Sequence, residues 1–539
     1  MSKSHIIKIS IALLLIAALF LQGCQFLNDP DTSVPDPPQQ PEPEASPPRP
    51  PQAADPHAPG QFTLRYDPNS SLNPLTSLSR DNILVASLMY ESLFTLDSDL
   101  NASPLLCDNW SSEDNITFQF VLKTNIAMSD GSWLTADDVV YTIRQAMQRG
   151  RFVNRFTSVA SIASDGDLTV TIVLHTPNSQ FIKLLDVPII KNGTIDRRNP
   201  PGTGPYVFSD PDNMFLTRYL RYRDFMELPI SVVYLIQCDD DELTQLFDDG
   251  KISLLWDDPS DAFEIRLNRL YDPRFYNTTA LQFIGFNGRS GIMRDPYVRR
   301  AVGCAVDRDY IVNNIMPPGH AVAARLPLPP YYWLYDSRWE LSPYDPYEEM
   351  SLLLQNAYLE DYNDDSFLET SDGLGGYHEF SVVFIVNSEN MYRVQAAQRI
   401  ADALTQVGFD ITVRELPWDS YISALEAGNF DMYYGEVMLG ADFNLSPLLL
   451  PGGVNYGGTA SATYRPFIED FLMVRTQSEA NYAVSRLFEE IIRNSPFVPV
   501  LYKRYVVYSP MGAITGSSPG QSNIFRNITD WTINLTMLT

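Results

Sequence analysis

The segment that decides the fold covers residues 380–437 and reads FSVVFIVNSENMYRVQAAQRIADALTQVGFDITVRELPWDSYISALEAGNFDMYYGEV. In it, apolar and β-branched runs of strand length alternate with two amphipathic stretches of helical period. The predicted strands cover 380–386, 411–416 and 430–437. The predicted helices cover 393–407 and 421–426 and are stopped by Gly408 and Gly428. Strand–helix–strand–helix–strand within about sixty residues predicts a βαβαβ unit, and therefore a parallel sheet with right-handed crossovers.

A second region of mixed structure lies closer to the N-terminus. Residues 117–122 and 168–174 alternate apolar and polar side chains as strands do. Between them, Thr135 precedes Asp137 and Asp138, which is typical of an N-cap with an acidic first helical turn. The chain is therefore predicted to belong to the α/β class.

Length and charge limit the possible architectures and partners. The chain has 539 residues, of which 45% are hydrophobic, so one core cannot hold it and two or three domains are expected. It carries 66 acidic and 38 basic residues, giving a formal net charge of −28. Such acidity disfavours phosphate backbones and anionic membrane surfaces, and we predict that the chain binds no nucleic acid.

The N-terminal region predicts export and a lipid anchor. An apolar run from Ile9 to Leu21 follows a short cationic start and is too short to span a bilayer, which indicates a signal peptide over 1–23. Gly23 followed by Cys24 resembles the lipobox of bacterial lipoproteins, in which the Cys is lipidated. Residues 28–60 contain 12 prolines and are expected to form a disordered, polyproline-like stalk.

Catalytic and metal-binding motifs are absent from the sequence. It has no C-x-x-C pair, no H-E-x-x-H, no G-x-S-x-G and no P-loop. We therefore predict that the chain is not an enzyme and has no cofactor and no metal site. Cys107, Cys238 and Cys304 remain besides Cys24, and their spacing does not decide whether two of them form a disulfide.

Several short motifs along the chain occur together in one known family. They are Asn73-Pro74-Leu75, Tyr90 to Phe94, Leu134 to Val139, Pro201 to Tyr206, Ala305 to Arg308, Gly428 to Asp431 and Pro499 to Tyr502. In this order, they resemble the family 5 extracellular solute-binding proteins, the oligopeptide- and dipeptide-binding subunits of ABC importers.

The resemblance implies a two-lobed periplasmic-binding-protein type II-like fold, with an extra α/β domain in the first lobe. The implied division gives lobe I residues 61–96, 192–286 and 503–539, the extra domain residues 97–191, and lobe II residues 287–502. It also implies a monomer that captures a peptide or other small solute between its lobes and delivers it to ABC permease subunits in the membrane.

The resemblance also implies a ligand-binding residue. Asp442 follows the predicted strand 430–437, and ligand crevices form beyond the carboxyl ends of parallel strands. In peptide-binding members, an Asp at this position pairs with the α-ammonium of the ligand. Leu439 stands where those members often have Trp, which leaves the identity of the ligand open. The predicted ligand-binding set is Asp442, Phe443, Asn444, Asn455, Tyr456 and Asn287.

Other functions remain open on the same fold. The chain could bind an oligosaccharide, an opine or a metal chelate, or serve as a surface adhesin or signalling lipoprotein without a role in transport. His175, His320 and His378 have no recognisable ligand spacing, which disfavours a nickel chelate.

Overall fold

The computed structural model describes residues 60–210, 214–258, 265–340, 344–371 and 373–538. The predicted signal peptide, the lipidation site Cys24 and the proline-rich stalk lie outside the described residues.

Helices and strands alternate along most of the described chain. In chain order the strands are β1 (Phe62–Arg65), β2 (Phe94–Leu96), β3 (Ala102–Pro104), β4 (Cys107–Ser111), β5 (Thr117–Leu122), β6 (Val159–Asp165), β7 (Thr169–Leu174), β8 (Tyr206–Asp210), β9 (Phe215–Arg218), β10 (Val232–Ile236), β11 (Leu255–Asp257), β12 (Tyr271–Phe286), β13 (Ala321–Ala323), β14 (Leu359–Glu360), β15 (Glu369–Ser371), β16 (Tyr377–Glu379), β17 (Val382–Asn387), β18 (Ile411–Leu416), β19 (Met432–Met438), β20 (Phe497–Pro510), β21 (Ile514–Thr515) and β22 (Thr532–Ile533). The α-helices are α1 (Arg80–Ala86), α2 (Ala136–Ala146), α3 (Asp240–Asp248), α4 (Pro296–Cys304), α5 (Arg308–Tyr310), α6 (Glu348–Asn356), α7 (Met391–Thr405), α8 (Trp418–Ala427), α9 (Ser446–Leu449), α10 (Arg465–Leu472) and α11 (Gln477–Asn494).

The first lobe is built on two four-stranded sheets. One has the strand order β1-β10-β9-β8, and the other, in the predicted extra domain, has the antiparallel order β4-β5-β7-β6. Strand β5 buries Phe118, Phe120 and Leu122 on one face and exposes the residues between them, as the period of two requires. Helix α2 begins as predicted, because the Asp138 carboxylate accepts a hydrogen bond from the Thr135 N–H at 2.9 Å. The apolar side chains of both sheets belong to one continuous core.

The second lobe contains the predicted βαβαβ unit. Strand β17 pairs in parallel with both β18 and β19, and helices α7 and α8 form the two crossovers. Successive residues of β19 face opposite sides, since Tyr433 packs in one apolar cluster with Leu425 of α8, and Tyr434 packs in another with Ile400 of α7. Both faces of this sheet are therefore covered, as parallel sheets require, and the sequence prediction is confirmed.

Two long antiparallel strands join the lobes. Strands β12 and β20, called here the crossing strands, pair from Tyr271–Pro510 to Gly285–Phe497, with a register shift between Asn277 and Leu281. At one end, β20 pairs with β11, and at the other end β12 pairs with β19. The result is the two-lobed α/β architecture that the sequence predicts.

Cys107, Cys238 and Cys304 are all buried and carry free thiols. Among the described residues, the helices are too short or too polar to cross a bilayer.

Candidate functional site

Asp442 lies just beyond the carboxyl end of β19 and is only 2% exposed. The side-chain Nδ2 of Asn178 donates a hydrogen bond to its Oδ2 at 2.9 Å, and the Asn444 backbone N–H donates to its Oδ1 at 3.3 Å. With the carboxylate in this position, only glycine fits at position 440, because a Cβ there would lie 2.4 Å from Asp442 Oδ1. The carboxylate is therefore held at the sheet edge where ligand crevices form.

Phe443 adopts an uncommon conformation next to this carboxylate. Its φ of +51° lies in the left-handed region, which is unfavourable for a bulky residue and persists only where packing determines it. The ring is fully buried, with its centroid 4.4 Å from that of Tyr332 and 6.0 Å from that of Tyr502. This packing fixes the backbone that carries Asp442.

Lys183 brings a buried ammonium to the same place. The residue is 6% exposed, and Nζ lies 4.6 Å from the centroid of the Tyr332 ring, over its face. Among the described residues, Nζ has no hydrogen-bond partner. Burial lowers the pKa of Lys183 to about 8, although the charges of Asp442 and Asp97 act in the opposite direction.

The pKa of Asp442 is shifted in the direction opposite to that of Lys183. Burial raises it above the ordinary value, against the lowering effects of the Asn178 hydrogen bond and the Lys183 charge. The surroundings thus disfavour both the charged ammonium of Lys183 and the charged carboxylate of Asp442. We refer to Asp442, Phe443, Asn178, Lys183 and Tyr332 as the Asp442 site.

The Asp442 site is formed by both lobes. Asn178 and Lys183 come from the end of the predicted extra domain, where Phe181–Leu184 forms a short 3-10 turn, whereas Asp442 lies in the predicted second lobe. Two further bonds join the lobes beside it, since the backbone N–H and Oγ of Ser179 donate to the carbonyl oxygens of Leu472 and Val474 at 2.8 and 2.6 Å. The carboxylate therefore lies at an interlobe contact.

The other predicted ligand residues do not join this cluster as side-chain ligands. Asn444 Oδ1 accepts hydrogen bonds from the N–H and Oγ of Ser446, at the start of α9. Asn287 donates through Nδ2 to the carbonyl oxygens of Gly428 and Phe430 at 3.2 and 3.0 Å. It follows Phe286, which pairs with Met432, so it lies at the opposite end of β19 from Asp442, about 20 Å away.

Tyr456 lies near that opposite end, and Asn455 precedes it in the same loop. Asn455 Nδ2 donates to the carbonyl of Leu448 at 3.0 Å and to Thr459 Oγ1 at 2.8 Å. The Tyr456 ring packs edge-on against Tyr433, with the centroids 6.1 Å apart. The backbone joins this loop to the end of β12, because the Gly288 N–H donates to the Gly457 carbonyl at 2.8 Å. We refer to Asn287, Asn455 and Tyr456 as the far group.

A second buried lysine lies where the crossing strands pass between the lobes. Lys503 of β20 is 1% exposed, and its Nζ is 3.1 Å from Asp258 Oδ1 and 3.0 Å from Glu436 Oε1. Glu436 Oε2 accepts from Arg393 at 2.7 Å, and Arg80 lies 3.6 Å from Asp258. We refer to these five residues as the Lys503 network; it links α1 of the first lobe to α7 of the second.

Sequence reasoning missed Asn178, Lys183 and Tyr332. A signal was available for Lys183, since it is the one charged residue in the apolar segment Phe181-Ile182-Lys183-Leu184-Leu185. An isolated charge in such a run, if buried, indicates function or a specific partner. Its neighbour Asp442 is far away in the sequence, so no local pattern could pair them.

One further group of side chains could hold a cation. Asp361, Asp365 and Glu369 converge in the loop between β14 and β15 of the second lobe. The side chains of the Asp442 site do not belong to this group.

Known proteins are similar to this chain in sequence and in fold. The oligopeptide-binding protein AppA of Bacillus subtilis (strain 168) is 21% identical over 468 residues, which cover 80% of this chain and 83% of that protein. Heme-binding protein A of Haemophilus influenzae (strain ATCC 51907 / DSM 11121 / KW20 / Rd) is 21% identical over 460 residues, which cover 76% of this chain and 80% of that protein.

A solved structure has a similar fold. NikZ from Campylobacter jejuni, in complex with Ni(L-His), is 19% identical and superposes with a TM-score of 0.65, covering 88% of this chain and all of that chain. A family model described as "Bacterial extracellular solute-binding proteins, family 5 Middle" matches residues 101–454. Because this match covers well over half of the sequence, the chain belongs to the family 5 bacterial extracellular solute-binding proteins.

Proposed function

We propose that this chain is the extracytoplasmic binding component of an ABC importer, which captures a peptide between its lobes and delivers it to permease subunits in the membrane. Membership of the family supports solute binding rather than catalysis. In this proposal, the lobes divide near residues 287 and 502, the chain acts as a monomer, and a lipid on Cys24 anchors it to the bacterial cell membrane.

The observation that carries the proposal is the buried carboxylate of Asp442 at the interlobe contact. Burying a charged carboxylate in such surroundings costs free energy unless a cation compensates it. The lobes can enclose a ligand cation there only by closing over it. A ligand ammonium at this carboxylate would form a short, charge-assisted hydrogen bond. The same arrangement would disfavour ligands that lack an amine, because they leave the charge unpaired.

A second candidate is an amino-acid-like solute other than a peptide, such as an opine. The observation in its favour is Lys183, whose buried ammonium lies without a hydrogen-bond partner among the described residues and offers a site for a ligand carboxylate. A compact solute that carries both an amine and a carboxylate could then engage Asp442 and Lys183 together. Leu439, at a position where peptide binders often have Trp, also fits a ligand other than a peptide.

Native mass spectrometry of the protein purified from its own cells separates the two candidates. A ladder of peptide masses released on gentle unfolding would support peptide import. A single amino-acid-like mass would support the second candidate. Protein that carries no solute and binds none from a library of peptides and opines would contradict both.

The substitution Asp442→Asn tests the amine contact directly. It should weaken binding of a peptide with a free N-terminus by about 100-fold, since a charge-assisted bond in a buried site is lost, but leave the N-acetylated peptide almost unchanged. Asp419→Asn, at an exposed carboxylate in the first turn of α8, is the matched control. Calorimetry that finds equal losses for both peptides would exclude Asp442 as the amine partner.

A further inference from the structure

The loop from Asp361 to Glu369, called here the acidic loop, joins two short paired strands of the second lobe. It reads DYNDDSFLE, and in the register of β14 and β15 Glu360 lies opposite Glu369. The sequence contains neither Lys nor Arg between Arg338 and Arg393. The loop is therefore acidic and has no basic residue near it in sequence.

Three carboxylates of the acidic loop converge. Asp361, Asp365 and Glu369 each offer an oxygen, and these oxygens lie within 4.8 Å of one another. Calcium binds carboxylate oxygens at 2.3–2.6 Å, so oxygens on opposite sides of one ion are separated by about 5 Å. The spacing of the three oxygens thus fits a single ion of this size.

Glu369 provides a second, independent observation. The residue is fully buried, with 0% exposure. Its Oε2 accepts a hydrogen bond from the Tyr362 backbone N–H at 2.8 Å, but Oε1 has no hydrogen-bond partner among the described residues. A buried carboxylate oxygen without a donor is unfavourable and rare in folded proteins, which indicates that a ligand completes its surroundings.

Within the described part of the chain, none of the three carboxylates forms an ion pair with Lys or Arg. Three like charges this close repel one another unless a cation neutralises them. The donors are all oxygens, and hard divalent cations such as Ca²⁺ prefer such a set, whereas Zn²⁺ prefers nitrogen and sulfur.

The backbone of the acidic loop curls around Asp361. The Asp361 carboxylate accepts hydrogen bonds from the backbone N–H groups of Asp365 at 3.1 Å and Ser366 at 2.9 Å. Ser366 has a φ of +76°, and this left-handed turn brings Asp365 back toward Asp361. The fold of the loop thus gathers the carboxylates without using the free oxygen of Glu369.

We propose that Asp361, Asp365 and Glu369 form a structural Ca²⁺ site. The ion would hold the acidic loop in place. The loop already contacts the βαβαβ unit, because the Leu368 N–H donates to the carbonyl of Gly408, just after α7, at 2.8 Å. An extracellular protein meets abundant Ca²⁺, and a dissociation constant of about 0.1–1 mM, typical of extracellular modules, would suffice. This proposal departs from the sequence prediction of no metal site.

The test uses the full chain after treatment with a chelator. Calorimetric titration with CaCl₂ should give one saturable site, and the melting temperature should rise with CaCl₂ concentration by mass action. Terbium should bind at the same site with luminescence sensitised by Tyr362, whose backbone N–H contacts Glu369. Magnesium should bind much more weakly, because it requires near-ideal octahedral geometry.

Two variants make the test specific. Glu369→Gln should remain folded and weaken Ca²⁺ binding by at least about 10-fold, with the terbium signal lost. Asp364→Asn removes an acid of the same loop that lies outside the cluster, and should bind Ca²⁺ like the wild type. Absence of saturable Ca²⁺ binding by the wild type, or equal affinity for wild type and Glu369→Gln, would overturn the proposal. Solute binding is measured separately, so failure here leaves the proposed function untouched.

Discussion

The Asp442 site and the Lys503 network each place a buried lysine near a carboxylate where the two lobes meet, yet they differ in how the charges are satisfied. Lys503 lies 3.1 Å from Asp258 and 3.0 Å from Glu436. Lys183 lies over the Tyr332 ring, and its Nζ has no hydrogen-bond partner among the described residues. Among the described residues, the lysine of one cluster is paired with carboxylates and the lysine of the other is not, and in this sense we call the first cluster complete and the second incomplete.

The acids of the two clusters differ in the same way. Burial acts to raise the pKa of Glu436, but the charges of Arg393 and Lys503 outweigh it and hold that pKa below the ordinary value. Burial raises the pKa of Asp442, and Asn178 and Lys183 do not outweigh it. Removing one partner from a complete buried network leaves an uncompensated charge, whereas an incomplete one leaves a charge that a ligand can pair.

The largest expected effect comes from breaking the complete network. Lys503→Met leaves the Asp258 and Glu436 carboxylates facing each other without their shared cation, and should lower the free energy of unfolding by about 3–5 kcal/mol. Denaturant unfolding measures this loss. The control is Lys251→Met, which removes an exposed ion pair with Asp249 and should change stability by less than about 0.5 kcal/mol. Equal losses of unfolding free energy in the two variants would show that the buried lysine contributes no more to stability than an exposed one.

The same substitution in the incomplete cluster should act in the opposite direction. Lys183→Met replaces a buried ammonium with a thioether that packs well against the Tyr332 ring, so the empty protein should gain about 2 kcal/mol. Affinity for a ligand with a free carboxylate should fall in the same variant. Calorimetry with a peptide and its C-terminal amide measures that fall, and a marked loss of stability in Lys183→Met would contradict our interpretation.

The incomplete cluster should also give the protein a distinct pH dependence. The pKa of Lys183 in the folded protein is about 8, below the ordinary 10.5 expected after unfolding. Between these values the unfolded chain binds more protons, so the free energy of unfolding rises with pH through this window. The wild type should gain about 1–2 kcal/mol relative to Lys183→Met between pH 7 and pH 9.5. Parallel unfolding curves for the two proteins across this range would contradict the burial of a charged Lys183.

The sequence was sufficient to predict the βαβαβ unit. Strand β18 runs over Ile411–Leu416, as predicted, because an alternating strand between two turns is a local property. Helix α8 begins at Trp418, earlier than the predicted Tyr421, since Pro417 occupies the N-cap position and the Trp418 N–H donates to the Glu389 carboxylate. That carboxylate follows a different strand, so the local sequence could not reveal the contact.

The site was only half predictable. Asp442 could be placed because it follows a recognisable strand, but its partner Asn178 is 264 residues away in the sequence and on the other lobe. The members of the far group were equally good candidates for ligand binding in the sequence, as polar residues in predicted loops. The position of Asn287 became clear only with the register of β12 against β19, which places it at the opposite end of the strand from Asp442.

The smallest expected effect concerns the far group and tests whether ligand binding is confined to the Asp442 site. Asn455→Ala removes the hydrogen bonds to the Leu448 carbonyl and to Thr459, and should lower the free energy of unfolding by about 1 kcal/mol. Thr459→Ser keeps a hydroxyl at the same place and should cost less. Because the Asn455 side chain is engaged by the Leu448 carbonyl and by Thr459, solute affinity should stay within about 2-fold of the wild type. A 10-fold loss of affinity in Asn455→Ala, measured by calorimetry, would mean that the ligand extends along the whole edge of the lobe to the far group.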